Sequence, residues 1–190
     1  LTAISFAPPF KGNWGFDLLT NLEKERRLTV KTSVSKFVIG LIVGVFLTGI
    51  VVWQVMPRMM INVQKSRLNF EDTVSAVNES VTKEKDWKVP AIFDIQKNIL
   101  DAGHKDMTKV KIVSLCQPHY AQKILQSDED KKVTTMMPLG IGIYESKDGQ
   151  VYISTMNIGI MGMMFGGTIA DVMGDAGEDI EEMLEDIVED

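Results

Sequence analysis

The chain has 190 residues, 45% of them hydrophobic and 24% charged, with a formal net charge of −6 and a single cysteine, Cys116. This excludes an intrachain disulfide and a multi-cysteine zinc site, and leaves room for one ordinary domain beyond a membrane segment. The charge is uneven, since no Lys or Arg follows Lys147 and Thr168–Asp190 carries ten acidic residues, a distribution that argues against nucleic acid as a partner.

Residues 1–36 read as a tail. Phe6, Phe10, Trp14 and Phe16 are interleaved with Pro8, Pro9, Gly12 and Gly15, a pattern that cannot build its own core but is too aromatic for a typical disordered segment. A membrane surface or a partner subunit is expected to hold it. Phe37–Met56 then runs twenty residues without a charge, enough as a helix to cross the ~30 Å hydrocarbon layer. Lys36 and Arg58 bracket it, Trp53 stands where an interfacial aromatic belongs, and Pro57 follows as a stop. A cleaved signal peptide has an apolar run of only ~7–15 residues near the N-terminus, so the segment reads as an uncleaved single-pass anchor. Basic residues number five before it (Lys24, Arg26, Arg27, Lys31, Lys36) and three after it (Arg58, Lys65, Arg67). That bias predicts a cytoplasmic N-terminus and a domain outside the cell membrane. Gly40 and Gly44 form a small-xxx-small pair, read either as a helix-docking face, which leaves homo-oligomers open, or as ordinary span glycines.

Residues 57–190 are expected to form one soluble α+β domain. Arg58–Ser66 alternates as a first strand, and Phe70, Val74, Val77 and Val81 recur at helical spacing behind a capping pair, Asn69 and Asp72. Val89–Ile95 reads as a short strand, Ile95–Ala102 as a helical turn closed by Gly103, Val110–Leu115 as a buried strand, and Pro118–Gln126 as a helix. Ser127–Lys132 is a charged turn. Leu139–Tyr144 and Val151–Met156 form a hairpin across Lys147-Asp148-Gly149. Ile158–Asp190 reads as helix in two parts, apolar then acidic and amphipathic. The order β-α-β-β-α-β-β-α implies an antiparallel sheet backed by helices.

The pieces FEDTVSAVNESV, VPAIFDIQKNILDAG, VKIVSLCQPHYAQKIL and MMPLGIGIYESKDGQVYIS, followed by Asn157, resemble in order and spacing the domain of unknown function 302 family. The resemblance covers about Asn69–Asn157 and implies a β-α-β(4)-α fold similar to that of TATA-binding protein. The activity of that family is not established, so the resemblance implies no catalytic residue. Where the family often has Cys-Asn-Pro, this chain has Cys116-Gln117-Pro118. The span and aromatic tail lie outside the family's core and imply a specialised role.

Candidate chemistry is sparse. Cys116, His119 and His104 offer a thiolate and imidazoles, ligands suited to haem iron, copper or zinc; the plainer reading makes Cys116 a small buried residue and both histidines solvated. Met156, Met161, Met163 and Met164 offer thioether sulfurs suited to Cu(I), though the plainer reading is core filling or docking, since the apolar run Ile158–Ala170 is too short to span a bilayer yet suits a sheet, a partner or a membrane surface. No phosphate loop, metalloprotease pair or nucleophile elbow occurs. Two functions are therefore expected. The first is a membrane-anchored, non-catalytic accessory subunit without a cofactor, contacting lipid and other subunits through tail and span. The alternative is a metal- or haem-binding redox protein using Cys116 with His119 or His104, with haem or copper as the cofactor.

Overall fold

A computed structural model describes residues 14–189, which divide into two units with the boundary between Trp53 and Gln54. Helix α1 runs Trp14–Met60. It begins well before the apolar segment because no Gly or Pro interrupts residues 16–39, which are rich in Leu, Glu, Lys and Arg. Pro57 lies inside the helix instead of ending it; the ring removes one hydrogen bond of the last turns, and the helix stops three residues later, where β1 begins.

The domain is a five-stranded antiparallel sheet in the order β1-β5-β4-β3-β2, with β1 Ile61–Lys65, β2 Lys88–Asp94, β3 Val110–Cys116, β4 Leu139–Glu145 and β5 Val151–Met156. Strand β1 starts three residues later than its alternation predicts, since α1 holds residues 58–60. Gly149 makes the β4–β5 turn at φ +84, a left-handed conformation that favours glycine. Between the strands lie α2 Phe70–Lys83, α3 Ile95–Asp101 and α4 Pro118–Leu125, and the chain ends through α5 Ile158–Phe165 and α6 Gly167–Leu184. A 3-10 turn, Asp130–Met136, occupies much of the expected charged loop and buries Val133.

Period-two alternation gives the sheet two unlike faces. Val113 and Leu115 of β3, Ile141 and Ile143 of β4, and Val151 and Ile153 of β5 are buried under helices. Val74, Val77 and Val81 of α2 and Ile169, Val172, Met173, Ala176 and Ile180 of α6 complete this core, each large side chain contributing about 1.5–3 kcal/mol by leaving water. On the other face the register aligns Ile61 with Met156, Val63 with Ser154, Tyr144 with Tyr152 and Phe93 with Ile112. The two tyrosine rings stack at 5.3 Å, while Ile61, Val63, Phe93 and Met156 stay exposed. Helix α6 ends at Leu184, short of the predicted Asp190. Ile187 and Val188 are buried, Val188 bridges to Ser66, and Glu189 donates its N–H to the Lys65 carbonyl.

Candidate functional site

The loop from β3 into α4 gathers the chain's distinctive side chains. Cys116 ends β3 half-buried. Gln117 caps α4, its Oε1 accepting from the Tyr120 N–H at 2.9 Å, and Pro118 fills the first helical position, where a missing N–H costs nothing. This fixes the turn so that Tyr120 points inward. Its ring meets that of Trp87 edge-on, centroids 6.1 Å apart. Trp87 Nε1 and the Tyr120 hydroxyl both donate to one carboxylate oxygen, Oδ2 of Asp179 on α6, at 3.0 and 3.1 Å. Burial, then the bond to Asp179 and the nearby charges of Asp175 and Glu178, push the Tyr120 phenol up to about 12.

Beside this network lies an apolar cavity of about 50 Å³ lined by Trp87, Cys116, Tyr120, Met136, Met137 and Met173, among others. The Trp87 and Tyr120 donors are already committed to Asp179, so beside the Gln117 amide the lining is chiefly a thiol, thioethers and hydrocarbon. A larger open groove of about 1110 Å³ follows the β1 edge and the end of α6, where Arg58, Ile61 and Val63 meet Glu181, Glu185 and Glu189. A third, of about 220 Å³, opens at the start of β1 and is flanked by Asn62, Met156, Asn157 and Met163.

Of the candidate ligands Cys116, His119 and His104, Cys116 reaches the cavity lining and the histidines do not. His119 is exposed on the first turn of α4, its Nε2 3.8 Å from Oδ2 of Asp86. His104 is exposed in the loop after α3. Among the described residues no three His, Cys, Asp or Glu side chains come together as a metal-ligand set. Gly40 and Gly44 lie in α1 with open space where a Cβ would stand. Phe6 and Phe10 fall outside the described residues, and Trp14 and Phe16 lie in the first turn of α1. The Trp87–Tyr120–Asp179 network was not expected from the sequence; its members are 59 and 92 positions apart, and Asp179 carries no mark among its acidic neighbours.

With this geometry in view, residues 61–187 match the family described as Domain of unknown function DUF302. The chain belongs to the DUF302 family. The match includes the sheet, α2 to α6 and the cavity, and leaves α1 outside. A crystal structure of an uncharacterized conserved DUF302 protein from Bacillus stearothermophilus agrees with a TM-score of 0.60 at 19% identity, covering 67% of this chain and 97% of that one. At that identity the likeness is one of fold. No curated protein matches the chain.

Proposed function

We propose that this DUF302 protein is a membrane-anchored, non-catalytic accessory subunit of a larger membrane protein complex. The observation that carries the reading is the helical segment Lys36–Met60, 25 residues long and apolar enough to cross a bilayer. Its side chains are exposed from residue 36 to 59, with Phe37 at 73%, Phe46 at 69% and Trp53 at 82%. A core helix of a soluble protein buries such residues, and a signal peptide's apolar run is shorter, ~7–15 residues. Lipid is the environment that fits. Five basic residues before the span against three after it favour an N-terminus in the cytoplasm and the DUF302 domain outside.

The partner half of the reading is supported by the aromatic tail with Phe6, Phe10, Trp14 and Phe16, and by Gly40 and Gly44, which let a neighbouring helix approach closely. Deleting Leu1–Arg27 should release the chain from its complex while alkaline carbonate still leaves it in the membrane pellet; unaltered co-purification counts against the subunit role, and extraction by carbonate against the anchor. Protease added to cells stripped of any outer envelope should digest the domain, whether it is periplasmic or extracellular, and a protected domain would reverse the orientation.

The second reading, a metal- or haem-binding redox protein using Cys116 with His119 or His104, has one observation in favour of its metal form: the Cys116 thiol lines a cavity together with Met136 and Met137, soft ligands suited to Cu(I). His119 and His104 do not line that cavity, so a ligand set there would be Cys116 with the thioethers. Cys116→Ser should then abolish bound metal or haem, and unchanged binding removes this reading.

A further inference from the structure

The end of the sheet nearest the span carries an apolar projection. Helix α5 has no charged residue, and the uncharged run continues from Ile158 to Ala170. The inward side of α5 is fixed against α6: Ile158 is buried, and a Cβ at Gly162 would stand 2.7 Å from that of Met173. The remaining side and tip stay open, with Met163 at 73%, Met164 at 66% and Phe165 at 45% exposure. Three adjoining large apolar residues left exposed at the turn between two helices form an apolar patch of the kind that marks a contact with a membrane or a partner.

Chain connectivity says what is close by. The last turns of the candidate span, residues 54–60, belong to the same unit as α5. Strand β1 starts at the next residue, Ile61, and β5 returns antiparallel to end at Met156, directly opposite. Asn157, the cap of α5, donates its N–H to the carbonyl of Met60 at 2.8 Å. So α5 starts one hydrogen bond from the end of the span, and its eight residues extend only ~12 Å. Met163 and Met156 flank the same groove, which also reaches Asn62 of β1 and is bordered on its α6 side by Glu178 and Glu181, so the two methionines connect the strand end to α5 while the carboxylates lie along α6. That reach is comparable to the ~5–10 Å depth at which amphipathic elements settle among lipid headgroups.

We propose that the α5–α6 tip, Met163, Met164 and Phe165, inserts into the lipid surface as a second membrane contact, holding the DUF302 domain against the bilayer. The inference rests on the membrane-anchored reading and deepens it. Since α6 continues with Asp171 and Asp175, the contact is driven by apolar burial and needs no anionic lipid.

The test uses the full chain reconstituted in phosphatidylcholine vesicles, in a Cys116→Ala background shown by circular dichroism to keep its fold. One environment-sensitive dye is placed at Met164→Cys, at Asp148→Cys in the β4–β5 turn, or at Val45→Cys in the span, and quenching by nitroxide-bearing phosphatidylcholine is read. The proposal expects the dye at 164 to be blue-shifted and quenched several-fold more than at 148. Quenching at 45 with none above the 148 level at 164 overturns it and leaves the anchor standing. A blue shift at 164 without lipid quenching also overturns it, because protein, such as a second copy, then covers the tip. Absence of quenching at 45 removes the anchored reading and this inference together.

Discussion

Asp179 accepts two hydrogen bonds on one oxygen, from a buried indole and a half-buried phenol, and so ties the β2 entry and α4 to α6. Asp179→Ala strands the Trp87 N–H inside the protein, and the expected loss is about 1–3 kcal/mol, measured by denaturant unfolding of the full chain in detergent. Tyr120 adds a pH signature. Its phenol keeps its proton in the folded state up to about 12, while in the unfolded chain it ionises near ~10. Across that interval the unfolded state releases its proton first, so the stabilisation present below the lower value is lost as pH rises. Unfolding series at increasing pH through this window should show that decline in the native sequence and a weaker one in Tyr120→Phe. Ser114 presents the opposite case. It is 2% exposed, and among the described residues its Oγ has no hydrogen-bond partner. Ser114→Ala should therefore be neutral or stabilising, by up to ~1 kcal/mol, because it removes an uncompensated desolvation; clear destabilisation would reveal a hidden partner. None of these pairings was legible in the sequence, because they join residues distant along the chain whose types are common. Cys116 and the histidines drew attention by their chemistry, yet the fold exposes both histidines and leaves only Cys116 against the cavity.

At the level of elements, periodicity carried the reading wherever one face is buried. The spacing of Phe70, Val74, Val77 and Val81 placed α2 correctly, and Asn69 caps it as expected, accepting from the Asp72 N–H at 3.1 Å. The second half of the capping pair differs: the Asp72 carboxylate accepts from the Asn69 side-chain amide at 2.5 Å, rather than reaching the cap backbone. Asn69→Ala should cost about 1 kcal/mol in the same unfolding assay. Boundaries moved where a tertiary or neighbouring demand outweighed local signals. Helix momentum carried α1 past Pro57, burial of Ile187 and Val188 drew the chain out of α6, and burial of Val133 turned a charged loop into a 3-10 turn. Glycine roles also needed coordinates. Gly162 permits α5 to lie on α6, so Gly162→Ala should destabilise by about 1–3 kcal/mol through overpacking. Gly174 is helical with open space around it, and Gly174→Ala should stabilise by about 0.5–1 kcal/mol. The two variants together separate helix propensity from packing.

On the scale of the whole molecule, the sequence reveals the class of object more readily than its task. Binary patterning and strand order suffice for an α+β sheet backed by helices, and a charge-free segment of spanning length suffices to suggest an anchor. What this DUF302 domain does is not written in a spacing, because the surfaces that the proposed reading invokes are apolar and lack a diagnostic motif: an aromatic tail, glycines in a helix, an open sheet face and the α5–α6 tip. On the proposed reading, each of these is completed by lipid or by another chain. The central claim, an anchored subunit that works without a cofactor, is tested most directly by native mass spectrometry of the protein released from its own membranes in mild detergent. The account predicts a stoichiometric assembly with other subunits and no added mass on this chain; a lone chain carrying the mass of a haem or a metal ion would contradict it.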